Sequence, residues 1–190
     1  MLRGEGAERA ALAAGFVPCI VLAGADFDAE GYPVSDEASA TSDTAGQLAY
    51  APSDLLSRFG VSPHTLLYLA KGSLHRACLP DFRGELPLLT GSSFIRLEVK
   101  QPERLLRDYL FAQLRSRATW RQLEVRQEGA FIKNINRAAL ASLEVEVPSL
   151  ERQRAVVEYA RLHREATALR ARLGELQNQQ LNALLKPENL

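Results

Sequence analysis

At 190 residues, with 46% hydrophobic and 24% charged side chains, the chain has the composition of a folded protein with room for one ordinary domain and an appendage. Its longest early apolar stretch, Gly15 to Ala25, is too short to span a bilayer and contains Pro18, and nothing after Met1 has the form of a secretion signal, so a cytoplasmic protein without a membrane span is expected. The formal charge is zero, but residues 1–60 carry 3 basic and 9 acidic side chains and residues 61–137 carry 13 and 7, so an acidic first third precedes a basic middle that could face a polyanion.

Phe16 to Ala23 is short, apolar and rich in β-branched residues, which predicts a buried strand. Residues 24–54 show no sustained period and predict a long loop holding at most one short element. A second strand starts at Thr65-Leu-Leu-Tyr-Leu-Ala70, breaks at Lys71-Gly72-Ser73 and resumes over His75 to Pro80, the pattern of two strands joined by a tight polar turn. Cys19 and Cys78 fall in these strands, and a lone pair in such a chain predicts two buried thiols, not a disulfide. Ser93 to Lys100 alternates as a half-buried strand does, Phe94 excepted. Pro102 is placed to open a helix whose face carries Leu105, Leu106, Tyr109, Leu110, Gln113 and Leu114, with Trp120 and Leu123 closing it against the sheet. Asn136 is placed to cap a short helix over Arg137–Leu143, and Leu143-Glu-Val-Glu-Val-Pro148 alternates strictly, which predicts the last strand.

From Ser149 the character changes. Residues 151–186 hold no proline and one glycine, Gly174, with Ser149 as N-cap and Pro187 as the stop. Ala155, Tyr159, Leu162, Ala166, Leu169, Leu173, Leu176, Gln180 and Ala183 recur in alternating steps of four and three, a heptad seam. A helix of about 54 Å cannot bury that whole stripe on so small a domain, so a partner helix is expected along it. The overall expectation is an α+β fold: a mixed β-sheet domain with packed helices over residues 1–148, then a coiled-coil-like helix over 149–190.

The order of these pieces resembles the specificity subunits of type I restriction-modification systems. Five segments carry the resemblance: Leu66-Leu-Tyr-Leu-Ala-Lys-Gly-Ser-Leu-His-Arg-Ala77, Phe94-Ile-Arg-Leu97, Tyr109-Leu110 to Leu114, Gly129-Ala-Phe-Ile-Lys-Asn-Ile-Asn136 with the helix after it, and the junction Val145-Glu-Val-Pro-Ser-Leu-Glu-Arg-Gln-Arg-Ala-Val-Val157. The resemblance implies a non-catalytic target recognition domain for double-stranded DNA, without a cofactor or metal, that docks separate methyltransferase and restriction subunits. Complete specificity subunits carry two target domains and two spacer helices. This chain shows one of each and no internal repeat, which implies a half-length form that rebuilds the whole as a homodimer through antiparallel pairing of the long helix, on a symmetric two-part target. The seam itself, Tyr159, Leu162, Ala166, Leu169, Leu173, Leu176 and Gln180, is compatible with either helix direction.

Reading DNA takes cations for phosphates and short polar groups for base edges. The two loops that interrupt apolar strands supply Lys71, Ser73, His75 and Arg76 in the first and Lys133 and Asn134 in the second. Lys71-Gly72-Ser73 also suits a plain hairpin turn. Catalytic alternatives are thinner. Asp81 followed by Glu98 and Lys100 resembles the PD-(D/E)xK nuclease pattern, in which two carboxylates hold a metal ion and a lysine activates water. A protein-binding coiled-coil scaffold is the third reading. There is no phosphate-cradling glycine loop, and His64, His75 and His163 lack zinc-site spacing.

Overall fold

Thr65-Leu-Leu-Tyr-Leu69 is apolar at almost every position, and such a strand has to be covered on both faces. It is: in the computed structural model of the chain, which describes residues 11–34, 47–71, 76–80, 85–125 and 135–185, all five residues are buried. This strand, β4, pairs antiparallel with β5 (Arg76–Cys78) on one side and β7 (Phe94–Glu98) on the other. Because side chains alternate, Leu66 and Tyr68 face one way and Leu67 and Leu69 the other. Leu66 and Tyr68 pack with Phe111, Leu114, Leu123, Ile135 and Leu140 from the helices, whereas Leu67 and Leu69 pack with Phe27, Cys78 and Phe94.

The second sheet has the order β2-β1-β6-β3, built from β1 (Val17–Leu22), β2 (Gln47–Ala51), β3 (Gly60–Val61) and β6 (Leu88–Thr90). β1 runs antiparallel to β2 and parallel to β6. A short helix, α1 (Ser53–Phe59), packs Leu55 and Leu56 against Cys19, Ala49, Ala51 and Leu89. The protein is therefore α+β, as expected, but its sheet is split in two. Both cysteines are free and buried. Burial pushes the Cys19 thiol up, and pushes Cys78 to about 11 against the opposing charge of Arg76, so neither is a reactive thiolate at neutral pH.

Three expectations need correction. Pro102 opens a turn, not a helix; α2 begins at Arg107 and ends at Leu114. Trp120 and Leu123 belong to a separate helix, α3 (Arg117–Val125), because Ser116 restarts the chain by accepting from the Thr119 N–H at 3.2 Å. Leu143–Pro148 forms no strand with any of the described residues. Side chains stand in for a ladder there: Gln122 bonds both the N–H and the carbonyl of Glu144, at 3.0 and 3.1 Å, and the Tyr109 hydroxyl donates to the Glu146 carbonyl at 3.1 Å. Asn136 does cap its helix, α4 (Arg137–Ala141), through the Ala139 N–H.

The long helix α5 runs Leu150–Leu184, 35 residues, with the Ser149 hydroxyl accepting from Arg152 N–H. Its first turn is anchored by Gln153, which is fully buried. The Gln153 amide oxygen accepts from Leu106 N–H at 2.8 Å, and its Nε2 donates to the carbonyls of Arg104 (2.7 Å) and Pro148 (2.8 Å). One side chain thus satisfies the orphan groups at the start of α2 and the end of the Leu143–Pro148 segment. No helix among the described residues is long and apolar enough to cross a membrane.

Glu98, at the end of β7, ties that strand to the turn before β4. Its carboxylate accepts from the hydroxyls of Ser62 (2.6 Å) and Thr65 (2.7 Å). Partial burial pushes the carboxyl up, but the two hydroxyls and the charges of Lys100 and Arg96 outweigh it and hold the group below the ordinary carboxylate range. A depressed carboxyl stabilises the fold above its unfolded value and loses that contribution as pH falls through the folded one. The stability difference between the parent chain and Glu98→Gln should accordingly be present at neutral pH and vanish in acid, below the usual 4.5, in urea melts across pH. Gln153→Leu keeps the volume but leaves three part-buried backbone groups without their partner, and should lower the unfolding free energy by about 1–3 kcal/mol in the same melts.

Candidate nucleic-acid interface

Of the six residues expected to read DNA, two fall among the described ones. Lys71 stands at the end of β4, exposed, with no ion pair among the described residues. Arg76, in β5, is turned inward: its Nη2 donates to the carbonyls of Gly24 and Phe27, both at 3.0 Å, and clamps the 24–27 turn, which follows β1, against the three-stranded sheet. A guanidinium so engaged fastens the domain and has little left to offer a phosphate. Ser73, His75, Lys133 and Asn134 lie outside the described residues.

Other cations hold surface positions that the loop-centred reading passed over. Arg117 and Arg121 are one turn apart on α3, and Arg137 opens α4; all three are exposed and lack an ion pair among the described residues. The adjacent carboxylate, Glu124, accepts from the Trp120 indole N–H at 2.6 Å and makes no ion pair with them among the described residues. α3 and α4 share one core through Trp120, Leu123, Ile135 and Leu140, which holds these arginines on either side of the 126–134 segment in sequence. The signal was available: two arginines at i and i+4 with no carboxylate between them.

The seam residues are all placed. Tyr159, Leu162, Leu169, Leu173 and Leu176 range from 45% exposed (Leu176) to 71% (Tyr159 and Leu169), Ala166 is half-buried and Gln180 exposed. α5 meets the domain with a different face. Gln153, Val157, Ala160, Arg161, Arg164 and Ala168 turn toward α2 and Tyr32, around a cleft of about 320 Å³. At 100° per residue that face lies half a turn away from the seam, so docking leaves the seam uncovered along its length. Arg164 makes the second fastening. It lies 3.9 Å from the Tyr32 ring centroid and 3.2 Å from an Asp28 carboxylate oxygen, while Arg115 approaches the same ring at 5.3 Å and Glu30 at 3.5 Å. The tight turn that carries Tyr32 is possible because Gly31 has φ +83° and a Cβ there would sit 1.9 Å from the Ala77 carbonyl oxygen. Gln153, Tyr32, Arg115 and Arg164 were not identified as functional from the sequence.

The nuclease pattern finds no assembled centre among the described residues. Both carboxylate oxygens of Glu98 are occupied by hydroxyls, Asp81 lies outside the described set, and no cluster of three His, Cys, Asp or Glu side chains suited to a metal occurs among the described residues.

No family model matches the chain, and no curated protein matches it. Among solved structures, the HsdS subunit from Thermoanaerobacter tengcongensis superposes with a TM-score of 0.59 at 17% identity, over 90% of this chain and 42% of that one. The chain thus spans about two fifths of the length of that HsdS subunit and shares its fold over the superposed part.

Proposed function

We propose that this chain is a DNA-specificity subunit of a type I restriction-modification system in half-length form, with residues 1–148 reading DNA and residues 149–190 forming the spacing and pairing helix. The observation that carries the reading is the likeness to HsdS across 90% of this chain. The ordered motifs around Leu66, Phe94, Tyr109, Gly129 and Val145 support it independently of the superposition. In this reading the chain has no catalytic residue of its own. Methyltransferase and restriction subunits dock on it, and two copies joined through α5 present two reading heads.

Phosphate contact falls to exposed, unpaired cations, so Lys71, Arg117, Arg121 and Arg137 are the described residues best suited to it, and Ser73, His75, Lys133 and Asn134 supply the base-reading set. Arg76 is set apart as a fastener. A binding selection on random duplexes, with the chain alone and with its cognate methyltransferase subunit, should return a bipartite, inverted motif; a flat outcome in both arms overturns the reading. Arg117→Gln/Arg121→Gln should weaken binding evenly across sequences and reduce the slope of log affinity against log salt by about one per lost phosphate contact. Arg76→Gln should instead lower stability and leave the recovered motif unchanged.

A further inference from the structure

α5 has a third face, beside the one docked on the domain and the seam opposite it. Arg152 and Arg170 are about five turns apart, so they lie on one line down the rod, roughly 27 Å from each other. Tyr159, His163 and Gln177 fall within about 20° of that line, with Tyr159 at its boundary with the seam. The line runs about a quarter turn from the middle of the seam and slightly more from the docked face. The domain does not cover it: all five side chains are exposed, Tyr159 by 71%.

Charge separates this line from the rest of the helix. The acids of α5 are Glu151, Glu158, Glu165 and Glu175, and none comes within about a quarter turn of it. On the far flank acids and arginines match one another. Arg161 engages both Glu165 and Glu158, the latter at 2.7 Å, and Arg172 engages Glu175 at 3.2 Å. Arg152 and Arg170 have no carboxylate three or four residues away in either direction. Neither makes an ion pair among the described residues. Between them the Tyr159 and His163 rings stack, their planes 12° apart and their centroids 6.1 Å apart. The stack keeps on the line two groups, a phenol hydroxyl and an imidazole N–H, that can donate to a phosphate.

A straight row of unmatched cations and neutral donors, free of carboxylates, fits an extended polyanion. Both arginines fall within one turn of B-form DNA, about 34 Å, so a single turn of backbone can meet both. A bilayer would need apolar anchors on the same face, and the leucines between Arg152 and Arg170 lie on the seam instead. We infer that this face of α5 holds the phosphate backbone of duplex DNA without regard to sequence, through Arg152 and Arg170 with Tyr159 and His163 between them. The helix thereby grips the stretch between the two parts of the target. The inference rests on the proposed DNA reading for its ligand, but not on the base-reading residues or on what covers the seam.

The test is anisotropy titration of the full chain on a random-sequence duplex over a range of salt. Arg152→Gln/Arg170→Gln should flatten the slope of log affinity against log salt by about two, close to one per arginine. Arg161→Gln/Arg172→Gln removes the same charge from the matched flank and should leave the slope within about half a unit of the parent's. Equal flattening by both pairs, or none by the first, overturns the inference. Polyglutamate of matched charge should compete poorly with the duplex. If it binds as tightly, and loses that binding in the Arg152→Gln/Arg170→Gln chain, the face belongs to an acidic protein and the inference falls. Phosphate ethylation of a selected duplex needs no variant: it should block binding between the two half-sites as well as within them, and interference confined to the half-sites overturns the inference. A recovered motif with an unchanged slope sinks this contact and leaves the DNA reading; the expected slopes with no recovered motif sink the reading and leave the contact.

Discussion

The rest of the molecule depends on one buried amide. Gln153 makes three hydrogen bonds to backbone groups of two segments that no sheet or helix satisfies, and it does so from the first turn of the longest helix. A buried glutamine is tolerated only where nearly all its donors and acceptors are matched. The matched set therefore fixes where α5 starts and how Leu143–Pro148 runs beneath it. Arg164, three turns further along, meets Tyr32 and Asp28 and fixes the direction. Two points of attachment on one face define a line, and the seam on the opposite face follows from them without further constraint.

Much of this arrangement was legible in the sequence, and what was missed shares a cause. The seam, the Ser149 and Asn136 caps and the strands β1, β4 and β7 follow from periodicity and local chemistry, both visible in a single chain. β6 is three residues between Pro87 and Gly91, and it is a strand because β1 and β3 flank it. β2, Gln47–Ala51, has no strong period, and pairing with β1 defines it too. The alternation of Leu143–Pro148 was real, but alternation says nothing about whether a neighbouring strand exists; Gln122 and Tyr109 supply the partners instead.

The same limit governs the interface. Arg76 sits beside a predicted turn, as a phosphate ligand should, and its actual partners are carbonyls some fifty residues away. A cation's role depends on what neutralises it, and sequence shows only the local part of that. Arg117 and Arg121 are the converse case: both are exposed on α3 with no ion pair among the described residues, and Glu124 on the same helix bonds the Trp120 indole instead. The basic middle of the chain is thus divided between arginines that hold the domain together and arginines that remain available to a polyanion.

The partial docking of α5 has a thermodynamic consequence. From Leu150 to Ala168 the helix leans on the domain, and beyond it Leu169, Leu173, Leu176, Leu181 and Leu184 are 45–83% exposed. A stretch of this length is near the balance point between helix and coil in water, and Gly174, whose Cβ position is open, tilts that balance by about 1 kcal/mol toward coil. Any partner that packs on the distal half would add its binding free energy to the helical side of that balance, so order there and binding would be thermodynamically linked.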